Sequence, residues 1–170
     1  MKVIVVSDSH GSTETLTEIA ERYQNEVDVM FHCGDSELSK EHPAISPFIT
    51  VRGNCDFETS FPNELIHSIN GCKFLVTHGH LYQIKTTLMK LYYQAQEQGA
   101  HIVLFGHSHQ LGVEKIGNHI FLNPGSILLP RGRKERTYAL IEGDQNTLTI
   151  RFFTDDHEEL GELKRKFSLT

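Results

Sequence analysis

The sequence predicts a mixed α/β domain. Three observations carry this expectation: short apolar runs rich in β-branched or aromatic residues, segments between them with helical spacing of apolar side chains, and two-residue turn dipeptides in the second half. A length of 170 residues suits one compact domain with one substantial core, so residues 1–170 are expected to form a single domain. Hydrophobic residues at 38% and charged residues at 22% exclude collagen-like, disordered and coiled-coil classes.

Residues 3–6 open the chain as a buried strand. In residues 13–24, Leu16, Ile19, Ala20 and Tyr23 recur at i, i+3, i+4 and i+7 with Glu14 in the first turn, the pattern of an amphipathic helix. Residues 29–31, 48–51 and 74–76 read as further strands. Residues 87–98 read as a second helix, with Leu88, Leu91, Tyr92 and Ala95 on one face and Gly99 as its stop. Residues 102–105 supply a fifth strand. Strand, helix, strand implies parallel pairing, whereas Asn70-Gly71, Gly117-Asn118 and Gly143-Asp144 look like hairpin turns and imply an antiparallel portion. In the polar tail from Asp155 to Thr170, only Leu160, Leu163 and Phe167 are spaced for a helix, so a short docked helix is expected there.

Charge and composition narrow the function. Net charge is −6, which disfavours general or stable nucleic-acid binding; an anionic substrate must be held locally. No apolar run approaches a bilayer span, and the start MKVIVVSDSH turns polar too early for a signal peptide, so the expected home is the cytoplasm, with no membrane partner. Cys33, Cys55 and Cys72 are odd in number and lack CxxC spacing, against a disulfide framework or a zinc ribbon. Histidine is abundant, at eleven residues, so its placement decides more than its count.

Each strand runs directly into a polar cluster: Asp8-Ser9-His10, Gly34-Asp35, Gly53-Asn54-Cys55-Asp56, His78-Gly79-His80 and Gly106-His107-Ser108-His109. Ligands of parallel sheets bind outside the carboxyl ends of the strands, so one crevice explains all five. In extended backbone, Asp8 with His10 and His107 with His109 would point to the same side and grip a common centre. Carboxylates, imidazoles and one carboxamide suit manganese, iron, nickel or zinc better than magnesium or calcium alone. Asp8, His10, Asp35, Asn54, His78, His107 and His109 are too many ligands for one tetrahedral zinc, but fit two divalent metals sharing a carboxylate. Two such cations outweigh the charge of Asp8 and Asp35, hold a phosphate and lower the pKa of a bridging water that attacks phosphorus in line. Phosphoester hydrolysis is the chemistry expected.

The ordered motifs D-x-H, GD, GN-x-D, HGH and GHSH resemble those of the calcineurin-like metallophosphoesterases. Asn123-Pro124-Gly125-Ser126 extends the likeness to their small, single-domain phosphodiesterase branch. The resemblance implies a four-layer α/β/β/α sandwich of two mixed sheets flanked by helices. It also implies that Asp8, His10 and His109 bind one metal, that Asn54, His78 and His107 bind the other, and that Asp35 bridges them. The choice of His78 over His80 as a ligand rests on this likeness. The expected activity is hydrolysis of small phosphodiesters by a metal-bridging hydroxide. Manganese is the first expectation for the metal, with nickel, iron or zinc as alternatives.

Many members carry a histidine after the asparagine, thought to protonate the leaving oxygen or hold the substrate; Cys55 stands there instead. Its ordinary pKa and weak hydrogen bonding make it a poor acid, and His80 is the nearest replacement. Asp35, Asn54 and His80 are thus the expected catalytic residues. Cys55 is read as lining the site, Asp56 as orienting a ligand loop or as an exposed turn residue, and His32 as a hydrogen-bonded core residue. His42, His67, His101, His119 and His157 lie outside the clusters. The basic run 131–136 is read as a solvated loop before a lip for anionic substrate. The rival functions are a non-enzymatic metal-binding scaffold of the same fold and a phosphomonoesterase. Oligomeric state, physiological substrate and native metal are left open by the sequence.

Overall fold

The computed structural model describes residues 1–169, and among them eleven strands and two α-helices build two mixed sheets. β1 (Lys2–Val6), α1 (Glu14–Tyr23) and β2 (Val29–His32) form a crossover unit in which β1 and β2 pair in parallel, Val3 opposite Val29 and Val6 opposite His32. The parallel β3 (Ile49–Thr50) is only two residues long. On the other side of β1 the pairing turns antiparallel through β9 (Thr137–Gly143), β10 (Thr147–Thr154) and β11 (Arg165–Ser168), so the first sheet runs β11-β10-β9-β1-β2-β3. The second sheet contains β4 (Glu64–Ile69), β5 (Cys72–Thr77), β6 (Ile102–Leu104), β7 (Gly112–Ile116) and β8 (His119–Asn123), in the order β4-β5-β6-β8-β7. α2 (Met89–Gln98) lies between β5 and β6 and ends at Gly99 in a left-handed cap.

The four layers follow from how each strand distributes its side chains. In β1, Val3 and Val5 enter the core between the sheets with Phe31, Phe74, Leu104 and Ile141, while Ile4 and Val6 face outward against Leu16, Ile19 and Ala20 of α1. Both faces are buried, which is why this strand is apolar throughout rather than alternating. On the second sheet, Leu75, Val103 and Phe121 pack outward against Leu91 and Ala95 of α2. The expected α/β/β/α sandwich is the fold of the chain.

Two local expectations are corrected. Gly143 is not a turn residue but the last residue of β9, opposite Leu148, so residues 144–146 make the connection; the hairpins at Asn70-Gly71 and Gly117-Asn118 are as expected. The tail is not a helix: after a 3-10 turn at Gly161–Leu163 it becomes β11, with Phe167 opposite Leu148. A helix this short is marginal in isolation, whereas the open edge of β10 offers a complete hydrogen-bond ladder and a core contact for Phe167. Thr170 lies outside the described residues.

Candidate metal centre

The carboxyl ends of β1, β2 and β3 in one sheet and of β5 and β6 in the other open toward the same place, so each polar cluster begins where a ladder stops. The side chains do not converge through extended backbone. Asp8, His10, Asp35, His107 and His109 all have positive φ, between 42° and 70°, so the same-side argument for the two i, i+2 pairs fails. Left-handed backbone at a non-glycine residue costs on the order of 1 kcal/mol and persists where surrounding contacts enforce it. Here the N–H of Asp8 donates to the carbonyl of Gly34 at 3.0 Å, that of His10 to the carbonyl of Asp35 at 2.9 Å, and Ser126 Oγ to the carbonyl of Asp8 at 2.7 Å.

At the centre, Asp8 Oδ1 is buried and has no hydrogen-bond partner. Around it stand His109 Nε2 at 3.1 Å, His10 Nε2 at 3.7 Å and His78 Nε2 at 3.9 Å. Asp35 Oδ2 faces His78 Nε2 at 3.2 Å and His10 Nε2 at 3.9 Å, and Asn54 Oδ1 is 3.1 Å from His78 Nε2. The far nitrogens of these rings are all committed: His10 Nδ1 donates to Glu37 at 2.9 Å, His78 Nδ1 to the carbonyl of Cys33 at 2.7 Å, and His109 Nδ1 to the carbonyl of Leu129 at 2.7 Å. A neutral ring held this way presents the Nε2 lone pair inward, toward carboxylate and amide oxygens that also present lone pairs. Only positive charge at the centre reconciles them, so the donor set fits metal ions. Three metal-competent groups result: Asp8, His10 and His109; Asp8, Asp35 and His78; and His10, Asp35 and Cys55.

The electrostatics agree. Burial opposes ionisation of Asp8, but the neighbouring imidazoles of His10 and His109 outweigh it and hold the carboxyl well below the usual carboxylate range. Burial likewise opposes ionisation of Asp35, and His78 overcomes it. The neighbouring Asp8 carboxylate raises His10 to about 9 against burial. The anionic pair thus recruits cations, whether protons or metals.

The remaining expected site residues fall at the rim. His107 belongs to none of the three groups; its ring lies 5.0 Å from that of His78, while its backbone N–H donates to Asp8 Oδ2 at 3.0 Å. Burial, then the charges of His78 and Lys85, push it down to about 4. His80 sits in a 3-10 turn (His80–Tyr82), 5.4 Å ring to ring from His78, and its buried Nδ1 has no partner. Burial, then Asp35, push the Cys55 thiol up to about 11, so it stays protonated at neutral pH.

Asp56 is not an exposed turn residue. It is 5% exposed, and its carboxylate accepts from the N–H groups of Asp35, Gly53 and Glu37 at 2.9, 2.7 and 2.8 Å, tying the Asp35 and Asn54 loops together. His32 is buried, accepting from the Gly34 N–H at Nδ1 and donating from Nε2 to Ser9 Oγ. Sequence reading missed Glu37 and the carbonyls of Cys33 and Leu129. No local signal marks them, because each meets its histidine across 20 or more residues. Two glycines are needed for close approach: a Cβ at Gly53 would stand 2.1 Å from Asp35 Oδ1, and one at Gly106 would stand 2.0 Å from Ser7 Oγ.

A two-sheet sandwich that gathers buried carboxylates, imidazoles and an amide at the carboxyl ends of its strands defines a metallophosphoesterase. The chain belongs to the calcineurin-like phosphoesterase superfamily, whose domain model matches residues 1–146. It is 46% identical over 169 residues to the probable metallophosphoesterase YsnB of Bacillus subtilis, covering 99% of this chain and 100% of that one. It is 26% identical over 172 residues to the phosphodiesterase YfcE of Escherichia coli, covering 85% of this chain and 89% of the relative. A crystal structure from Streptococcus pneumoniae, described as a predicted phosphoesterase, superposes with a TM-score of 0.95 at 42% identity, covering 98% of this chain and 97% of that one. Among the described residues no helix is long and apolar enough to cross a membrane.

Proposed function

We propose that residues 1–170 form a single-domain phosphodiesterase acting on small phosphodiesters with two divalent transition metals, manganese first among them. The observation that carries this reading is the convergence of Asp8 Oδ1, Asp35 Oδ2, Asn54 Oδ1 and the Nε2 atoms of His10, His78 and His109 on one place, where the buried Asp8 Oδ1 has no hydrogen-bond partner. Asp8, His10 and His109 would hold one metal, and Asn54, His78 and His107 the other. Asp35, facing both His10 and His78, would serve both. When bound, the metals would supply positive charge to the phosphoryl oxygens and a water acidic enough to act as nucleophile near neutral pH. His80 would then hydrogen-bond the phosphoryl group or the leaving oxygen, because Cys55 remains an uncharged thiol. The diester specificity is supported by the name of the YfcE relative.

The test is turnover of an activated aryl phosphodiester with added manganese, beside the matching monoester and an Asp35→Asn variant, on protein of known metal content. Nearly two metals per chain and a diester rate far above the variant's are expected. Metal without turnover would favour the scaffold reading, and faster monoester hydrolysis would favour a phosphomonoesterase.

A further inference from the structure

Beside the metal centre, a cavity of about 570 Å³ opens between β7, β8 and residues 84–88. It is continuous with the histidine loop. Ser108, between His107 and His109, lines it and accepts from Asn123 Nδ2 at 3.0 Å, and Arg131, whose N–H donates to the carbonyl of His109 at 3.0 Å, lines it too. Ile84, Leu88, Leu111 and Val113 give it an apolar wall, beside a polar one that includes Ser108, Gln110 and Asn123. Two cations, Lys85 and Arg131, also line it, and neither forms an ion pair among the described residues. Within the basic run, Arg133 is paired with Glu135 and Glu162, and Arg136 with Asp155. Arg131 alone of these three arginines is left for a ligand. Glu114 is the lining carboxylate that opposes the two cations.

A chamber with an apolar wall and two cations against one carboxylate, beside the candidate metal centre, has the recognition chemistry of a ring with a further phosphate. We infer that this cavity binds the non-leaving arm of the substrate and that the arm is a nucleotide: a nucleoside against the apolar wall and a second phosphate near Lys85 and Arg131. The inference rests on the phosphodiesterase reading above and names the substrate class for that same site. A volume of this size accommodates a nucleoside and leaves most of it unfilled by a methyl or small alkyl arm.

Three esters that share one p-nitrophenolate leaving group test it, with arms of methyl, thymidine 5′-yl and thymidine 5′-yl bearing a 3′-phosphate. For the manganese-loaded protein at low ionic strength, kcat/KM is expected to rise in that order. Lys85→Ala/Arg131→Ala should erase the last step, about tenfold, with each rate taken relative to the methyl ester of the same variant. At Gly112, which lines the cavity, an added Cβ meets no heavy atom within 4 Å, so Gly112→Phe starts from open space and its ring would compete with the nucleoside for the cavity. It should bring both nucleoside arms down to the methyl rate. Equal kcat/KM for the three arms in the unaltered protein would overturn the inference while leaving the phosphodiesterase reading intact. Calorimetric binding of thymidine 3′,5′-bisphosphate separates the opposite failure. If none of the esters turns over, a Kd about tenfold weaker in Lys85→Ala/Arg131→Ala still supports the nucleotide site, and an unchanged Kd overturns it.

Discussion

Removing the Asp56 carboxylate should loosen the whole candidate site from behind. The group is 5% exposed and accepts three backbone N–H bonds at 2.7 to 2.9 Å, from Asp35, Glu37 and Gly53. Hydrogen bonds to a charged acceptor contribute about 1.5–3 kcal/mol each when one partner is deleted, and three sharing a single acceptor are not additive. In Asp56→Ala the three donors lose their partner together, and water entering the vacated space recovers part of the loss. A destabilisation of roughly 3–5 kcal/mol follows, which for a domain of this size lowers Tm by roughly 10 °C. Asp56→Asn keeps an amide oxygen for Asp35 and Gly53 but turns an N–H₂ toward the Glu37 N–H, so about half that loss is expected. The measurement is urea and thermal unfolding of metal-free protein, because metal bound to the native state would mask the difference. Metal titration should show weaker binding in both variants, since Asp35 and Asn54 sit on the loops that Asp56 ties. An Asp56→Ala protein melting within about 2 °C of the parent would refute this account of the loop.

Gly106→Ala places a Cβ 2.0 Å from Ser7 Oγ and 2.5 Å from Asp8 Oδ2, so it should cost about 1–3 kcal/mol and reduce metal content per chain. Unchanged stability and stoichiometry would show that the neighbouring strand yields freely. His32 predicts a pH dependence. Burial holds it down to about 4, whereas the unfolded chain titrates near 6.5, so the unfolded state binds the extra proton between these values. The stability this confers is complete above pH 6.5 and is lost, by roughly 3 kcal/mol, as pH falls toward 4. His32→Gln should therefore have a shallower decline over that window in metal-free urea melts, and an identical slope would exclude His32 as its source.

The local pattern reached far into this protein. The apolar run of β1, the apolar faces of α1 and α2, and the Asn70-Gly71 and Gly117-Asn118 hairpins are all written in neighbouring residues, because strand and helix patterns are short-range properties. The polar clusters were equally legible, since each follows directly on an apolar run. The tail was not: Leu160, Leu163 and Phe167 fit a helical period, and only the unpaired edge of β10 makes a strand the better solution. Asp56 could be suspected from its position in the Gly53-Asn54-Cys55-Asp56 cluster. Its three N–H donors could not.

From the residues alone came the kinds of donor atom, their order along the chain and their placement at strand ends, and from those the chemistry of metal-assisted phosphoester hydrolysis. Tertiary structure decided which atoms meet. It brought His10 to His109 across 99 residues, kept His107 at the rim and turned five site residues into left-handed backbone. It also placed a cavity with an apolar wall and two cations beside the histidine loop. The reason is that strained dihedrals and facing lone pairs are locally unfavourable, so no short-range preference encodes them. They persist because hydrogen bonds from distant segments, and the core beneath two packed sheets, hold them in place.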